Sequence, residues 1–141
     1  MTRYAFHEGD MALPEGWIDA SMTSLVYERP EGIVRLMVVR LDPSGRDFEE
    51  AMQDHLVALR RRLPHYELVH DRPTQVDGRP ARDYAIRFVS EQGPSYRRVA
   101  VAQTGSLLLL LGAQGAPPAE QSVDTLLETV IGGARWRQED P

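Results

Sequence analysis

Short turn signals divide the stretch from His65 to Gly112 into four extended segments, and this feature constrains the possible fold most. Asp-Gly between two extended segments favours a hairpin, because the tight turn needs backbone conformations that Asp and Gly adopt readily. Strands joined by such short turns pair antiparallel. The sequence therefore predicts an antiparallel meander, with turns at Asp77-Gly78, Gln92-Gly93-Pro94 and Thr104-Gly105.

The first third of the chain is also predicted to be extended. Met11–Leu13, Met22–Glu28 and Ile33–Leu41 are short apolar or alternating segments. Pro30-Glu31-Gly32 lies between the last two, so they are predicted to form a hairpin.

Two segments have the periodicity of amphipathic helices. Asp47 can cap the first, and Pro64 ends it because proline lacks an N–H and fixes φ. Pro117-Pro118 open the second, and Gly132-Gly133 end it. The predicted order is β-β-β-α-β-β-β-β-α in a single domain over residues 1–141. We expect an α+β fold in which one antiparallel sheet carries both helices on one face.

Composition excludes several classes of protein. The chain has no cysteine, which excludes disulfides, thiolate catalysis and thiolate metal sites. Its formal net charge is −5, whereas binding to a phosphate backbone requires a concentrated positive face. We therefore predict no nucleic-acid partner.

Membrane and export signals are also absent from the sequence as given. The N-terminus becomes charged within a few residues, unlike a secretory signal. The longest apolar run, Leu107–Leu111, is far shorter than the roughly 20 residues that a spanning helix needs. These observations predict a cytoplasmic protein that is not embedded in a membrane.

The sequence contains no recognisable catalytic or metal-binding constellation. His7, Glu8 and Asp10 are close together, but an ordinary N-terminal strand and turn explains them. The histidines lie on separate predicted elements and form no helical pair of the kind that ligates metal. Nucleophile-elbow, phosphate-loop and dinucleotide motifs are missing. We predict no enzymatic activity, no cofactor and no metal.

One sheet face is less polar than a solvated face should be. If the helices cover Val34, Leu36 and Val38, alternation leaves the intervening residues on the other face. That second face is predicted to carry Met22, Ser24, Val26, Arg35, Met37, Val39, Tyr96, Arg98 and Ala100.

A mixed face of methionine, aliphatic and small residues with a polar rim is typical of a binding surface. It suits an apolar helix of another polypeptide. Two alternatives stay open: a homodimer or the chain's own termini could bury this face, or the face could bind a small ligand or lipid. A third hypothesis, an enzyme, has no supporting constellation in the sequence.

The N-terminal region carries a family resemblance. The stretches Tyr4-Ala5-Phe6-His7-Glu8-Gly9-Asp10, Leu13-Pro14, Gly16-Trp17 and Asp19-Ala20-Ser21 resemble the opening of bacterial DcrB-like domain proteins. Within that family they resemble the cytoplasmic Eag chaperones of type VI secretion effectors. The resemblance implies a fold similar to the photosystem PsbP proteins, with a curved antiparallel sheet flanked by helices.

The resemblance also implies a function and a set of contact residues. Eag chaperones are homodimers whose concave sheet faces shield the N-terminal transmembrane helices of an effector and help load it on the secretion spike. Carried over from the family, the expected partner-binding residues are Met22, Ser24, His55, Leu63 and Arg98. Position on the predicted face adds Arg35, Met37 and Tyr96.

Overall fold

The segments of alternating polarity form strands in the computed structural model, which describes residues 2–6, 9–13, 22–30, 32–43, 45–105 and 107–136. The strands are β1 (Thr2–Phe6), β2 (Gly9–Leu13), β3 (Met22–Arg29), β4 (Gly32–Leu41), β5 (Glu67–Val76), β6 (Arg79–Ser90), β7 (Gly93–Thr104) and β8 (Leu107–Gly115). The helices are α1 (Phe48–Arg62) and α2 (Glu120–Gly133), and a 3₁₀ turn at Pro117–Ala119 precedes α2.

Strands β3 to β8 form one six-stranded antiparallel sheet in the order β3-β4-β8-β7-β6-β5. The predicted meander is confirmed as β5 to β8, and β4 pairs with β8 at its end. Strands β1 and β2 form a separate two-stranded sheet. The predictions of one sheet and of three strands before α1 are therefore wrong, because residues 2–6 form an additional strand that pairs with β2, its neighbour in the chain, and not with the larger sheet.

The predicted turn at Asp77-Gly78 is confirmed. Both residues have positive φ, 46° for Asp77 and 79° for Gly78. Positive φ at both central positions gives the turn the twist that matches the flanking strands. This turn fixes the register between β5 and β6, in which Val76 pairs with Arg79.

The predicted limits of α1 are also confirmed. The Asp47 carboxylate accepts a hydrogen bond from the Glu50 N–H at 2.8 Å, which satisfies one of the donors that a helix N-terminus leaves free. At the other end, the Leu63 N–H donates to the Leu59 carbonyl at 2.9 Å, directly before Pro64. Helix α1 then buries Ala51, Met52 and Leu59 against the sheet.

The two helices lie on opposite faces of the six-stranded sheet. Helix α1 packs on the face that carries Tyr84 and Val99, which pair across β6 and β7. Helix α2 packs on Ala85 and Ala113, which belong to the reverse side. We call these sides the α1 face and the α2 face. The prediction that both helices cover one face is wrong, because two amphipathic helices can each cover one side of a sheet.

Small residues let α2 approach the sheet closely. A Cβ atom at Gly115 would lie 3.2 Å from the Val123 Cγ2 and 3.3 Å from the Ala119 Cβ. Ala100, Ala102 and other small residues continue this side of the sheet. The α1 face instead carries large aromatic and aliphatic side chains.

None of the helices in the described part of the chain is both long enough and apolar enough to cross a bilayer.

Candidate functional site

An apolar groove of about 430 Å³ lies on the α1 face, between α1 and strand β4. Met37, Val39 and Leu41 of β4 form one wall. His55, Ala58, Leu59 and Arg62 of α1 form the other wall, because residues three and four positions apart lie on one face of a helix. Helix α1 packs on β6, β7 and β8 of this face, and among the described residues Met37 and Val39 of β4 are only half-buried.

Gly112 of β8 forms part of the groove floor. A Cβ atom at this position would lie 3.4 Å from the Val99 Cγ2 and 3.7 Å from the Met37 Cε, which are ordinary contacts. The missing side chain therefore deepens the groove. Gly112 does not have the positive φ that would require glycine at this position.

His55 and Tyr84 form a polar pair at the α1 wall. The His55 Nε2 lies 2.8 Å from the Tyr84 hydroxyl, and the two rings meet edge to face at 5.7 Å. Burial, followed by the nearby charges of Arg62 and Arg97, lowers the pKa of His55 to about 4. Burial also raises the pKa of the Tyr84 hydroxyl. Both groups are therefore uncharged near neutral pH, and they act as a hydrogen-bonded pair in the groove wall.

Two guanidinium groups, those of Arg62 and Arg97, complete the polar part of the groove. The Arg97 Nε donates to the Gln114 Oε1 at 2.8 Å, and its guanidinium carbon lies 4.8 Å from the centre of the Phe88 ring. Burial lowers the pKa of Arg97, because desolvation disfavours its charged form.

Further apolar side chains lie on the same face towards the β3 edge of the sheet. Val26 and Ile33 are each 54% exposed. Val26 pairs with Arg35, and Ile33 lies two residues before Arg35, so all three lie on the α1 face. The α1 face therefore carries exposed apolar side chains outside the groove, with the exposed Arg35 between Ile33 and Met37 along β4.

The structure brings several of the predicted site residues to this groove. Met37 and His55 line it from opposite walls. Arg35 lies on the same face and is exposed. The backbone register pairs Ser24 with Met37 and Met22 with Val39, which assigns both positions to this face. The side chains of Met22 and Ser24 lie outside the described part of the structure.

Leu63 lies away from the groove lining. It ends α1 and packs against the core cluster between α1 and the sheet. It is half-buried, and it is not among the residues that line the groove. Its observed contacts are with the protein's own core.

Tyr96 and Arg98 do not lie on the groove face, and the prediction that groups them with Met37 is wrong. Arg98 pairs with Ala85 and Ala113, which places it on the α2 face. Tyr96 and Arg98 are each only 4% exposed. Ala100, also predicted on the open face, is buried beside them at 1% exposure. Alternation shows which residues of one strand share a face, but a one-residue shift in pairing reverses the match to the next strand.

Arg98 belongs instead to a buried ionic network beneath α2. Its guanidinium donates to both carboxylate oxygens of Asp83, at 2.8 and 3.1 Å, and to Glu128 at 3.1 Å. The Tyr96 hydroxyl donates to Asp124 at 2.7 Å. These contacts join α2 to β6 and β7, so the network holds the helix on the sheet.

Sequence reasoning missed Tyr84, Arg97 and Gly112 as groove residues. Arg97, Val99 and Val101 alternate along one strand and share a face. The charge of Arg97 among apolar neighbours was the sequence feature that could have indicated a groove residue. Gly112 carried no signal until pairing placed it opposite Met37 and Val99.

In the described residues there is no group of three or more histidine, cysteine, aspartate or glutamate side chains placed to hold a metal ion. His7 and Glu8, which the sequence analysis considered as ligands, lie outside those residues. The groove therefore offers apolar contact and hydrogen bonding as its chemistry.

Comparison with known proteins shows the family and the fold. The family model described as DcrB matches residues 8–133. The protein of unknown function PA94 from Pseudomonas aeruginosa is 18% identical, with a TM-score of 0.82 over 99% of each chain. No curated protein matches the chain significantly.

Two further solved structures are similar in fold. The cyanobacterial PsbP protein CyanoP from Synechocystis sp. PCC 6803 is 16% identical, with a TM-score of 0.51 over 93% of this chain and 89% of its own. LpqN, involved in cell envelope biogenesis of Mycobacterium tuberculosis, is 12% identical, with a TM-score of 0.50 over 84% of each chain. The predicted α+β class and PsbP-like fold are confirmed.

Proposed function

This chain belongs to the DcrB family, and from that premise we propose that it is a chaperone or adaptor that binds an apolar helix of another polypeptide in the groove beside α1. One observation carries this proposal. The groove has apolar walls from Met37 and Val39, and the same sheet face carries the exposed Val26 and Ile33. An exposed apolar surface of this kind with polar groups at its margin suits a protein partner.

The shape of the surface fits a helix better than a flat partner. A row of side chains from one helix face can enter the groove between α1 and β4, since helical side chains recur every three or four residues on one face. The low floor at Gly112 lets such side chains enter more deeply. Met37 has a flexible side chain that adapts to guests of irregular shape.

We propose further that the guest is the N-terminal transmembrane helix of a type VI secretion effector. The support is the resemblance of the N-terminal motif to the Eag chaperones. On the same basis the protein works as a cytoplasmic homodimer and helps load the effector on the secretion spike. Shielding the apolar helix in the groove would keep the effector from aggregating before export.

The proposed role involves no catalysis. The groove's polar groups are a neutral His55–Tyr84 pair and two arginines, and this set contains neither a nucleophile activated by a base nor a metal ligand cluster. These groups can satisfy polar atoms of a guest through hydrogen bonds.

A second candidate is a module that binds a small ligand or lipid in the same groove. The groove volume of about 430 Å³ favours it, because small-molecule sites commonly measure about 300–1,000 Å³. Polar groups at one end of an apolar cavity would orient an amphiphile. LpqN, of similar fold, is involved in cell envelope biogenesis.

Co-expression tests the proposed function. The tagged chain is produced with the product of an adjacent gene that has an apolar N-terminal segment, and we expect the two to co-purify. Met37→Asp should abolish co-purification, because it places a carboxylate in the apolar wall. Val57→Asp is the matched control, since Val57 is 43% exposed on α1 and does not line the groove.

Circular dichroism of both variants checks that they fold. A partner that stays insoluble in the presence of the native chain would contradict the proposal. So would a folded Met37→Asp variant that retains the partner as well as Val57→Asp does.

A further inference from the structure

Arg97 of β7 differs from three other arginines of β6 and β7 in its partners. Arg82, Arg87 and Arg98 each place a terminal guanidinium nitrogen 2.8–2.9 Å from a carboxylate. In the described part of the chain, no carboxylate lies within ion-pair distance of Arg97, whose Nε donates to the neutral Gln114. Its terminal nitrogens keep donors for a partner other than the described residues.

Arg97 is nevertheless half-buried, and it lines the apolar groove. Arg62 lines the same groove, and none of the lining residues is acidic. Burial lowers the pKa of Arg97, and the like charge of Arg62 lowers it further, because both disfavour a cation in the groove. The groove thus combines an apolar wall with positive charge that the described chain does not neutralise.

A purely apolar guest would fit this groove poorly. It would displace the remaining water from the Arg97 guanidinium without replacing its hydrogen bonds, and an uncompensated buried charge is strongly unfavourable. A carboxylate would accept two parallel hydrogen bonds from a guanidinium and neutralise its charge.

We infer that Arg97 selects apolar guest segments that carry an aspartate or glutamate side chain, which pairs with its guanidinium inside the groove. The inference rests on the proposed function, since it assigns the guest's chemistry at the same site. It makes Arg97 a specificity-determining residue, because a lysine or arginine at the same guest position would meet like charge from Arg97 and Arg62.

Synthetic peptides test this inference on the native chain. Three fluorescent Leu/Ala peptides of about 20 residues, the length of a spanning helix, differ only in a central Glu, Gln or Lys. Binding is followed by fluorescence anisotropy in a non-ionic detergent. We expect the Glu peptide to bind at least about 10-fold more tightly than the Gln peptide, a difference of about 1.4 kcal/mol, and the Lys peptide to bind most weakly.

Variants then assign the preference to one side chain. Arg97→Met should reduce the ratio of Glu to Gln affinities to about one, and Arg97→Lys should retain part of it because the charge remains. Arg46→Met is the control, because Arg46 is an exposed arginine that pairs with Asp54 outside the groove. It should keep the full preference.

The outcomes separate this inference from the proposed function. Equal binding of the Glu and Gln peptides to the native chain, or an unchanged preference in Arg97→Met, overturns the inference and leaves the proposed function standing. Failure of all three peptides to bind overturns both. Binding of myristate without binding of any peptide also overturns both and favours the lipid module.

Discussion

Asp83 and Arg98 form a two-pronged ion pair beneath α2, with Arg98 Nε 3.1 Å from Asp83 Oδ1 and Arg98 Nη2 2.8 Å from Asp83 Oδ2. Their side chains are only 4% and 5% exposed. Burial disfavours the Asp83 carboxylate, but hydrogen bonds from Arg98 and His70 outweigh that effect and lower its pKa. Each charge of this pair therefore compensates the other inside the protein, and the contribution of the pair to stability depends on both partners.

Removal of Arg98 should destabilise the fold severely. Arg98→Met leaves the Asp83 carboxylate buried without its main partner, and breaking a buried pair in this way costs about 3–5 kcal/mol. Urea denaturation measures the free energy of unfolding. Arg87→Met is the control, because the Arg87 ion pair with Glu120 is partly exposed and should contribute about 1 kcal/mol or less.

A loss below about 1 kcal/mol in Arg98→Met would contradict the structural role of this ion pair.

Protonation of His55 should make stability depend on pH. The folded pKa is about 4, whereas an unperturbed histidine has a pKa near 6.5. Between these values the unfolded chain binds a proton that the folded chain does not, so the free energy of unfolding falls as the pH drops. Because His55 is partly exposed, we expect a loss of about 1–2 kcal/mol between pH 7 and pH 5.

Urea denaturation at the two pH values, compared between the native chain and His55→Gln, isolates this contribution. The variant should lose the His55 part of the pH dependence. An identical pH dependence in the native chain and His55→Gln would show that the burial of His55 does not control its protonation.

Local signals in the sequence predicted the elements of the fold well. Asp47 and Pro64 delimit α1 because capping and the missing proline N–H act within a few residues. Asp77-Gly78 fixes a hairpin through its own backbone preferences. These effects need no knowledge of distant parts of the chain.

The candidate site could be predicted only in part, because it depends on pairing between distant strands. Met37 and His55 were identified from alternation and from resemblance, and both line the groove. Tyr96 and Arg98 were assigned to the wrong face, because the register across β8 decides which alternating set of β7 matches Met37. The same register places Arg97 on the groove face, so its position could not be predicted without knowing how β7 and β8 pair.

Two glycines of β8 offer a matched test of the two faces. A Cβ atom at Gly115 would lie 3.2 Å from the Ile33 carbonyl oxygen and 3.2 Å from the Val123 Cγ2, so α2 would have to shift. We expect Gly115→Ala to lower the free energy of unfolding by about 1–3 kcal/mol, as overpacking does. Gly112→Ala makes only ordinary contacts and should change it by less than about 1 kcal/mol.

Gly112→Leu extends the same test to function. Its side chain would occupy the groove floor between Met37 and Val99, so we expect the variant to fold and to bind the Glu peptide at least about 10-fold more weakly, since about 1.4 kcal/mol of contact would be lost. Urea denaturation confirms folding, and fluorescence anisotropy measures the binding. Full peptide affinity in a folded Gly112→Leu variant would mean that the guest does not reach the groove floor, and it would favour a docking site at the exposed Val26 and Ile33 on the same face.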